Sequence, residues 1–199
     1  MKKILNIIVS PRGEASFSNQ LGNVIISKII ANNPGSLVQV RNLNETPFPH
    51  VEPAHLTAFF TPAENHSPEN KKAIQHSDEA IKELFDADIL VINTPMWNFS
   101  VPSVLKAWID HIARAGITFK YGETGVTGLL TGKKVYIALA SGGVYSDGDK
   151  KALDFAEPYL RSVLGFLGLT DVTTYRVEGT SIPQIQQSAM ENAALAVNF

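Results

Sequence analysis

A three-layer, doubly wound α/β domain, built on a five-stranded parallel sheet in the order 2-1-3-4-5, is the architecture the sequence predicts. Short apolar runs rich in β-branched residues recur at 4–9, 37–41, 89–93, 135–140 and 172–177. None alternates cleanly between apolar and polar positions, the pattern of strands covered on both faces. Segments of helical periodicity separate them, and strand and helix alternate along the whole chain. Right-handed crossovers then leave few ways to wind the sheet. The length of 199 residues, with 44% hydrophobic and 18% charged, fits a single domain over 1–199 with one well-buried core.

The first run, 4–9, is too short for a signal-peptide core or a membrane span and reads as a buried strand. A helix over 18–32 follows, with Leu21, Val24, Ile25, Ile29 and Ile30 near helical spacing and a stop at Asn33-Pro34-Gly35. After the second strand, 37–41, the stretch 47–68 is proline-rich with little periodicity and reads as an excursion over one edge. The helix expected at 68–85 sets Ala73, Ile74, Ala80, Ile81, Leu84 and Phe85 on one face and a row of Lys, Asp and Glu on the other, an ordinary solvated surface. Strand 89–93 is followed by a helix at 101–113, and strand 135–140 by one at 151–167 with a kink expected at Pro158. Strand 172–177 and a final helix at 183–197 complete the pattern.

In such sheets ligands bind outside the carboxyl ends of the strands, at the switch point between the first and third. Three loops there are unusual. After the first strand, the segment from Ser10 to Asn19 is rich in hydroxyls and opens a helix whose first N–H groups have no internal partners. Ser10, Ser16 and Ser18 suit an anion there, although N-capping by Ser16 or Ser18 is the plainer alternative. Neither G-x-G-x-x-G nor G-x-x-x-x-G-K-[ST] is present, so a monophosphate fits better than a dinucleotide or a hydrolysed nucleotide. After the third strand come Met96, Trp97, Asn98 and Phe99, apolar and polar groups suited to the body and rim of a planar ring. Taken alone, burial on the next helix or on another subunit is the more frequent reason for such a loop. After the fourth strand, the glycines of Ala140-Ser141-Gly142-Gly143 admit positive φ and a close backbone approach, as a simple tight turn also would.

The sequence resembles the FMN-dependent NADH-azoreductases, which belong with the NAD(P)H:quinone oxidoreductases of flavodoxin-like fold. The likeness covers nearly the full length. It rests on the segment from Ser16 to Leu21, on Pro95-Met96-Trp97-Asn98-Phe99, and on Ala113-Arg114-Ala115-Gly116-Ile117-Thr118-Phe119, with further matches at residues 128–134 and 164–168. The resemblance implies that Ser10, Ser16, Phe17 and Ser18 hold the FMN phosphate, that Met96, Trp97, Asn98 and Phe99 line the isoalloxazine, and that Ala140, Ser141, Gly142 and Gly143 approach its pyrimidine side. It also implies a homodimer, with Tyr121 and Phe166 walling a substrate pocket near the subunit interface. One departure stands out: many relatives carry Ser-Arg-Gly-Gly where this chain has Ala140-Ser141-Gly142-Gly143.

With FMN as cofactor, NADH or NADPH as donor and a quinone or azo compound as acceptor, the implied reaction is a two-step, ping-pong hydride transfer that needs no protein nucleophile. A flavin-holding electron carrier is the rival, disfavoured because a net charge of −2 with interspersed signs gives little steering to a redox partner. The same charge balance argues against nucleic acid as a partner. The five histidines show no metal-like spacing, so no metal is expected, and Asp110-His111 reads as a surface or capping pair. The absence of cysteine excludes disulfides and thiolate chemistry and suits a cytoplasmic location.

Overall fold

The computed structural model describes residues 1–123 and 125–199. In chain order its strands and α-helices are β1 (Lys3–Ile8), α1 (Phe17–Asn32), β2 (Leu37–Asn42), α2 (Pro53–Phe60), α3 (Pro68–Asp86), β3 (Ile89–Pro95), α4 (Ser103–Ile112), β4 (Phe119–Gly122), β5 (Gly125–Gly128), β6 (Lys134–Ala140), α5 (Ala156–Phe166), β7 (Asp171–Val177) and α6 (Gln186–Ala196). The five long strands form one parallel sheet in the order β2-β1-β3-β6-β7, the expected order once the short β4–β5 hairpin is set aside.

Successive strand residues point to opposite faces, which divides the core into two layers. Leu5, Ile7, Leu90, Ile92, Ile137 and Leu139 meet the α3, α4 and α5 side, including Leu84, Trp108 and Leu160. Ile4, Val91, Ala138 and Val177 meet α1 and α6 through Leu21, Ile25, Ile29 and Ala193. Removing each large aliphatic side chain from water contributes about 1.5–3 kcal/mol before entropy is counted. The register also aligns the site: Pro95 pairs with Ala140 and Ala140 with Val177, so the loops after β3, β6 and β7 leave the sheet at one level.

Several expectations are corrected. The second strand is not buried: Leu37 and Val40 are 60% and 55% exposed, because β2 is an edge strand with no element on its outer side. The stretch 47–68 contains α2, whose start is marked by Pro53 in the first turn and by reciprocal bonds between Glu52 and His55. Its eight residues are too few for a periodic signal. The helix expected at 151–167 is split into a 3-10 turn, Asp149–Leu153, and α5, and Pro158 causes no kink. It sits in the first turn of α5, where its missing N–H has no intrahelical carbonyl to meet. The last helix starts at Gln186, three residues later than expected.

Candidate functional site

Above the carboxyl ends of β1, β3, β6 and β7 lies a cleft of about 140 Å³, lined by Ser10, Arg12, Ser16, Phe17, Pro95, Met96, Trp97, Ala140, Ser141, Gly142, Thr180 and Ser181. Its floor and walls are held by backbone bonds. Val9 N–H donates to the Asn93 carbonyl at 3.1 Å and Met96 N–H to the Ala140 carbonyl at 2.7 Å, fixing the first two loops as they leave the sheet.

The polar end is built at the start of α1. Ser10 and Ser16 are almost fully buried in the chain yet both face the cleft. Ser16 is the N-cap of α1, but its Oγ lies 3.5 Å from Asn19 N and 3.0 Å from Ser18 Oγ, so its cap contact is long. That leaves the Ser16 hydroxyl available to an anion beside the first N–H groups of α1. Of the two alternatives left open by the sequence, capping is seen as a contact, and Ser16 also lines the cleft. Ser18 is fully buried behind it and lines no part of the cleft.

The second loop makes a tight turn. Trp97 and Ser100 exchange backbone hydrogen bonds at 2.9 and 3.0 Å, and the two residues between them, Asn98 and Phe99, have φ of 49° and 69°. Positive φ at both central positions matches a type I′ turn, a conformation that Phe adopts only where its surroundings impose it. Trp97 is 45% exposed at the cleft and Met96 is half-buried against the core. Asn98 and Phe99 lie beyond the cleft wall, and the Phe99 ring meets Tyr145 edge-on at 6.2 Å.

The glycine turn works differently from the sequence expectation. Neither Gly142 nor Gly143 has positive φ. Their small size matters instead, since a Cβ on Gly142 would stand 2.8 Å from Ser181 Oγ and one on Gly143 3.0 Å from the Tyr145 ring. Ser141 Oγ donates to the Gly143 carbonyl at 2.8 Å, while the N–H groups of Gly142 and Gly143 make no hydrogen bond among the described residues. Arg12, Pro95, Thr180 and Ser181 complete the lining and were not singled out from the sequence. Thr180 and Ser181 follow the fifth strand, so extending the strand-end rule to that strand would have found them.

Tyr121 and Phe166 are not in this cleft. They flank Phe119, at ring-centroid distances of 5.5 and 4.4 Å, and Tyr121 helps to line a separate hollow of about 440 Å³ with Leu56, Phe59, Phe60 and Arg114. That hollow is walled by α2 and the β4–β5 hairpin, the two elements the sequence did not reveal. His111 corrects another expectation. It is fully buried, its Nε2 lies 2.9 Å from the Pro49 carbonyl, and His55 meets it edge-on at 5.0 Å. Burial, reinforced by His55 and His76, holds its pKa below the ordinary histidine range against the opposing pull of the Pro49 bond. Asp110 instead faces solvent and pairs with Lys106 one turn earlier. No group of three or more His, Cys, Asp or Glu suited to a metal occurs among the described residues, and no described helix is long and apolar enough to cross a membrane.

The chain matches the flavodoxin-like fold family over residues 2–198. It is 53% identical to the FMN-dependent NADH:quinone oxidoreductase of Herminiimonas arsenicoxydans over 182 residues, covering 92% of this chain and 89% of that one. The chain belongs to the FMN-dependent NADH:quinone oxidoreductase family. A second relative of that description, from Mesorhizobium japonicum, is 44% identical over 98% of this chain and 93% of its own. The family's azoreductase branch is represented among solved structures. An azoreductase from Bacillus anthracis superposes with a TM-score of 0.86 at 30% identity, covering 98% of both chains. An FMN-dependent NADH-azoreductase of the same species, solved with FMN, gives 0.86 at 28% identity over 98% of this chain and 97% of its own.

The cleft fits the group those names carry. Buried hydroxyls and a helix N-terminus suit a phosphate, and the Gly142 N–H, unpaired among the described residues, suits the polar rim of a ring, while Gly143 lies just outside the lining. Its 140 Å³ is too small to enclose an entire flavin.

Proposed function

We propose that this chain is a two-electron oxidoreductase that binds FMN in the cleft and uses NADH or NADPH to reduce quinones, azo compounds or both. The observation that carries the reading is the pairing, in one cleft, of a buried hydroxyl cluster at the start of α1 with an open platform formed by Trp97 and the Gly142 turn. When bound, FMN supplies the hydride chemistry, accepting two electrons from the nicotinamide and passing them to the acceptor.

The protein's part is binding and placement. Ser10, Ser16 and the N–H groups of Phe17 and Ser18 hold the phosphate, with Arg12 adding positive charge. Met96 and Trp97 support the ring, while Asn98 and Phe99 shape the turn that presents them. Ala140 and Ser141 lead into the Gly142 and Gly143 N–H groups, which face the ring's pyrimidine edge and stabilise negative charge gathered there. The folded unit 1–199 works as a homodimer in which the aromatic hollow, with Tyr121 and nearby Phe166, meets the other subunit and walls the acceptor site. The exposure of Phe60 and Tyr121, 82% and 73% in the single chain, supports that reading.

Anaerobic titration of the FMN-loaded protein with NADH tests the proposal. Rapid bleaching of the flavin followed by reoxidation with benzoquinone is expected. A bound flavin that both NADH and NADPH leave oxidised would favour an electron carrier, and failure to bind FMN would overturn both readings.

A further inference from the structure

Just past β7 the chain turns at Gly179, whose φ is 74°, and runs back beside the glycine loop. Ser141 N–H donates to the Val177 carbonyl at 2.9 Å, Gly179 N–H to Gly143 at 3.0 Å, and Ser181 N–H to Gly142 at 3.0 Å. One side chain of this returning segment reaches further. The half-buried carboxylate of Glu178 accepts from Tyr145 N–H at 2.8 Å and from Ser146 N–H at 3.0 Å, and also from the Ser146 hydroxyl. Behind it Arg176, two residues earlier and so on the same face of the sheet, donates to Glu178 at 3.3 Å. The same guanidinium binds Asp154 and Glu157 at the start of α5, and Phe155 N–H between them donates to the Phe99 carbonyl at 3.0 Å.

Charge-assisted bonds therefore run from Tyr145 and Ser146 through Glu178 and Arg176 to Asp154 and Glu157, and the neutral backbone bond of Phe155 completes the link to the turn that carries Trp97. Four donors converging on one carboxylate are more than a surface loop needs for solubility, and each such bond is stronger than a neutral one. Among the described residues Val144, Tyr145 and Ser146 have no other anchor of this strength, since they lie beyond the last backbone pairing with the 177–181 segment, at Gly143.

We propose that Glu178, backed by Arg176, is a positioning residue that fixes the 142–146 loop so that the free Gly142 and Gly143 N–H groups meet the flavin ring. This rests on the reading of the cleft as a flavin site. Glu178 touches neither cofactor nor substrate, and it acts through Tyr145 and Ser146. Glutamine at 178 keeps the oxygen that accepts from the two backbone N–H groups and from Arg176, and loses the charge and the acceptor of the Ser146 hydroxyl, whereas alanine removes every contact.

The test is FMN fluorescence quenching, together with amide hydrogen exchange at Tyr145 and Ser146, on wild type, Glu178→Ala and Glu178→Gln. Glu178→Ala is expected to weaken FMN binding at least tenfold and to speed exchange at both amides by a similar factor, with Glu178→Gln recovering most of each. A folded Glu178→Ala protein with wild-type affinity and wild-type exchange would overturn the inference while leaving the flavin reading intact. Should Glu178→Ala fail to fold, Glu178→Asp, which withdraws the carboxylate by one methylene, is measured against the same two criteria. Wild type that does not quench FMN at all would instead sink the flavin reading, and the inference with it.

Discussion

The cleft above the sheet and the aromatic hollow beside it are built on opposite principles. In the cleft, Ser10, Ser16 and Ser141 are buried and each loop is tied to the next by backbone bonds, from Met96 to Ala140 and from Ser141 to Val177. Even its strained turn, with Phe99 at φ 69°, is pinned from outside by Phe155. The hollow between α2 and the β4–β5 hairpin is walled by side chains such as Phe60, Leu56 and Tyr121 that stand in solvent. A site on rigid, internally satisfied loops is ready before its ligand arrives, whereas an apolar face of this kind is complete only against another surface. On the function proposed above, the first region would bind the resident group and the second would meet a second subunit and the changing acceptor.

Mutations separate the two regions, and the largest effect is expected beneath the cleft. A Cβ on Gly22 of α1 would stand 1.9 Å from Oδ1 of Asn93, whose amide is buried and bonded to Asn6 at 2.7 Å. Gly22→Ala should therefore cost about 3 kcal/mol in a urea melt, since neither helix nor sheet can move aside cheaply. A loss below about 1 kcal/mol would mean that the scaffold under the cleft is softer than its packing implies.

The next effect is on affinity. Ser16→Ala removes a hydroxyl facing a phosphate, and a hydrogen bond to a charged group contributes about 1.5–3 kcal/mol, so FMN should bind roughly tenfold more weakly or worse. The same substitution should cost only about 1 kcal/mol in stability, given the long cap contact. Equal losses in both measurements would identify Ser16 as a cap and nothing more.

A smaller effect marks the border of the hollow. His111 is held neutral in the fold, with a pKa depressed by burial, so it binds a proton more readily once unfolded. Its contribution to stability is full above the unfolded value near 6.5 and is lost as the pH falls below that toward the folded value. Urea melts from about pH 8 to about pH 5 should show wild type losing stability faster than His111→Gln below about pH 6.5. Parallel curves would show that the buried imidazole already accepts its proton without penalty.

Smallest in stability, and sharpest for the comparison, is Phe60→Ser. With its ring exposed in the single chain it should change the stability of the isolated subunit by no more than about 0.5 kcal/mol. It should nevertheless loosen the dimer in analytical ultracentrifugation and raise the KM for benzoquinone while leaving FMN affinity unchanged. A dimer constant and a KM both equal to wild type would remove the hollow from the acceptor site.

The sequence by itself determined the layered α/β winding, the strand order and the edge at which ligand-suited loops gather, because buried parallel strands and amphipathic helices write their periodicity directly into the chain. It also marked Ser10, Met96, Trp97 and Ser141, which lie within a few residues of strand ends, and Ser16 and Phe17 at the start of the helix that follows β1. Only the tertiary structure decided that Gly142 is small for the sake of Ser181, that Glu178 holds Tyr145 and Ser146, and that His111 is buried against Pro49. Those contacts join residues 32 to 62 positions apart. Periodicity and local motifs report a residue's own neighbourhood, whereas such partners are chosen by where the packed sheet brings distant segments together. The short α2 and the β4–β5 hairpin lay below the same horizon, since their wall of aromatics is assembled by packing across elements and not by a repeat within any of them.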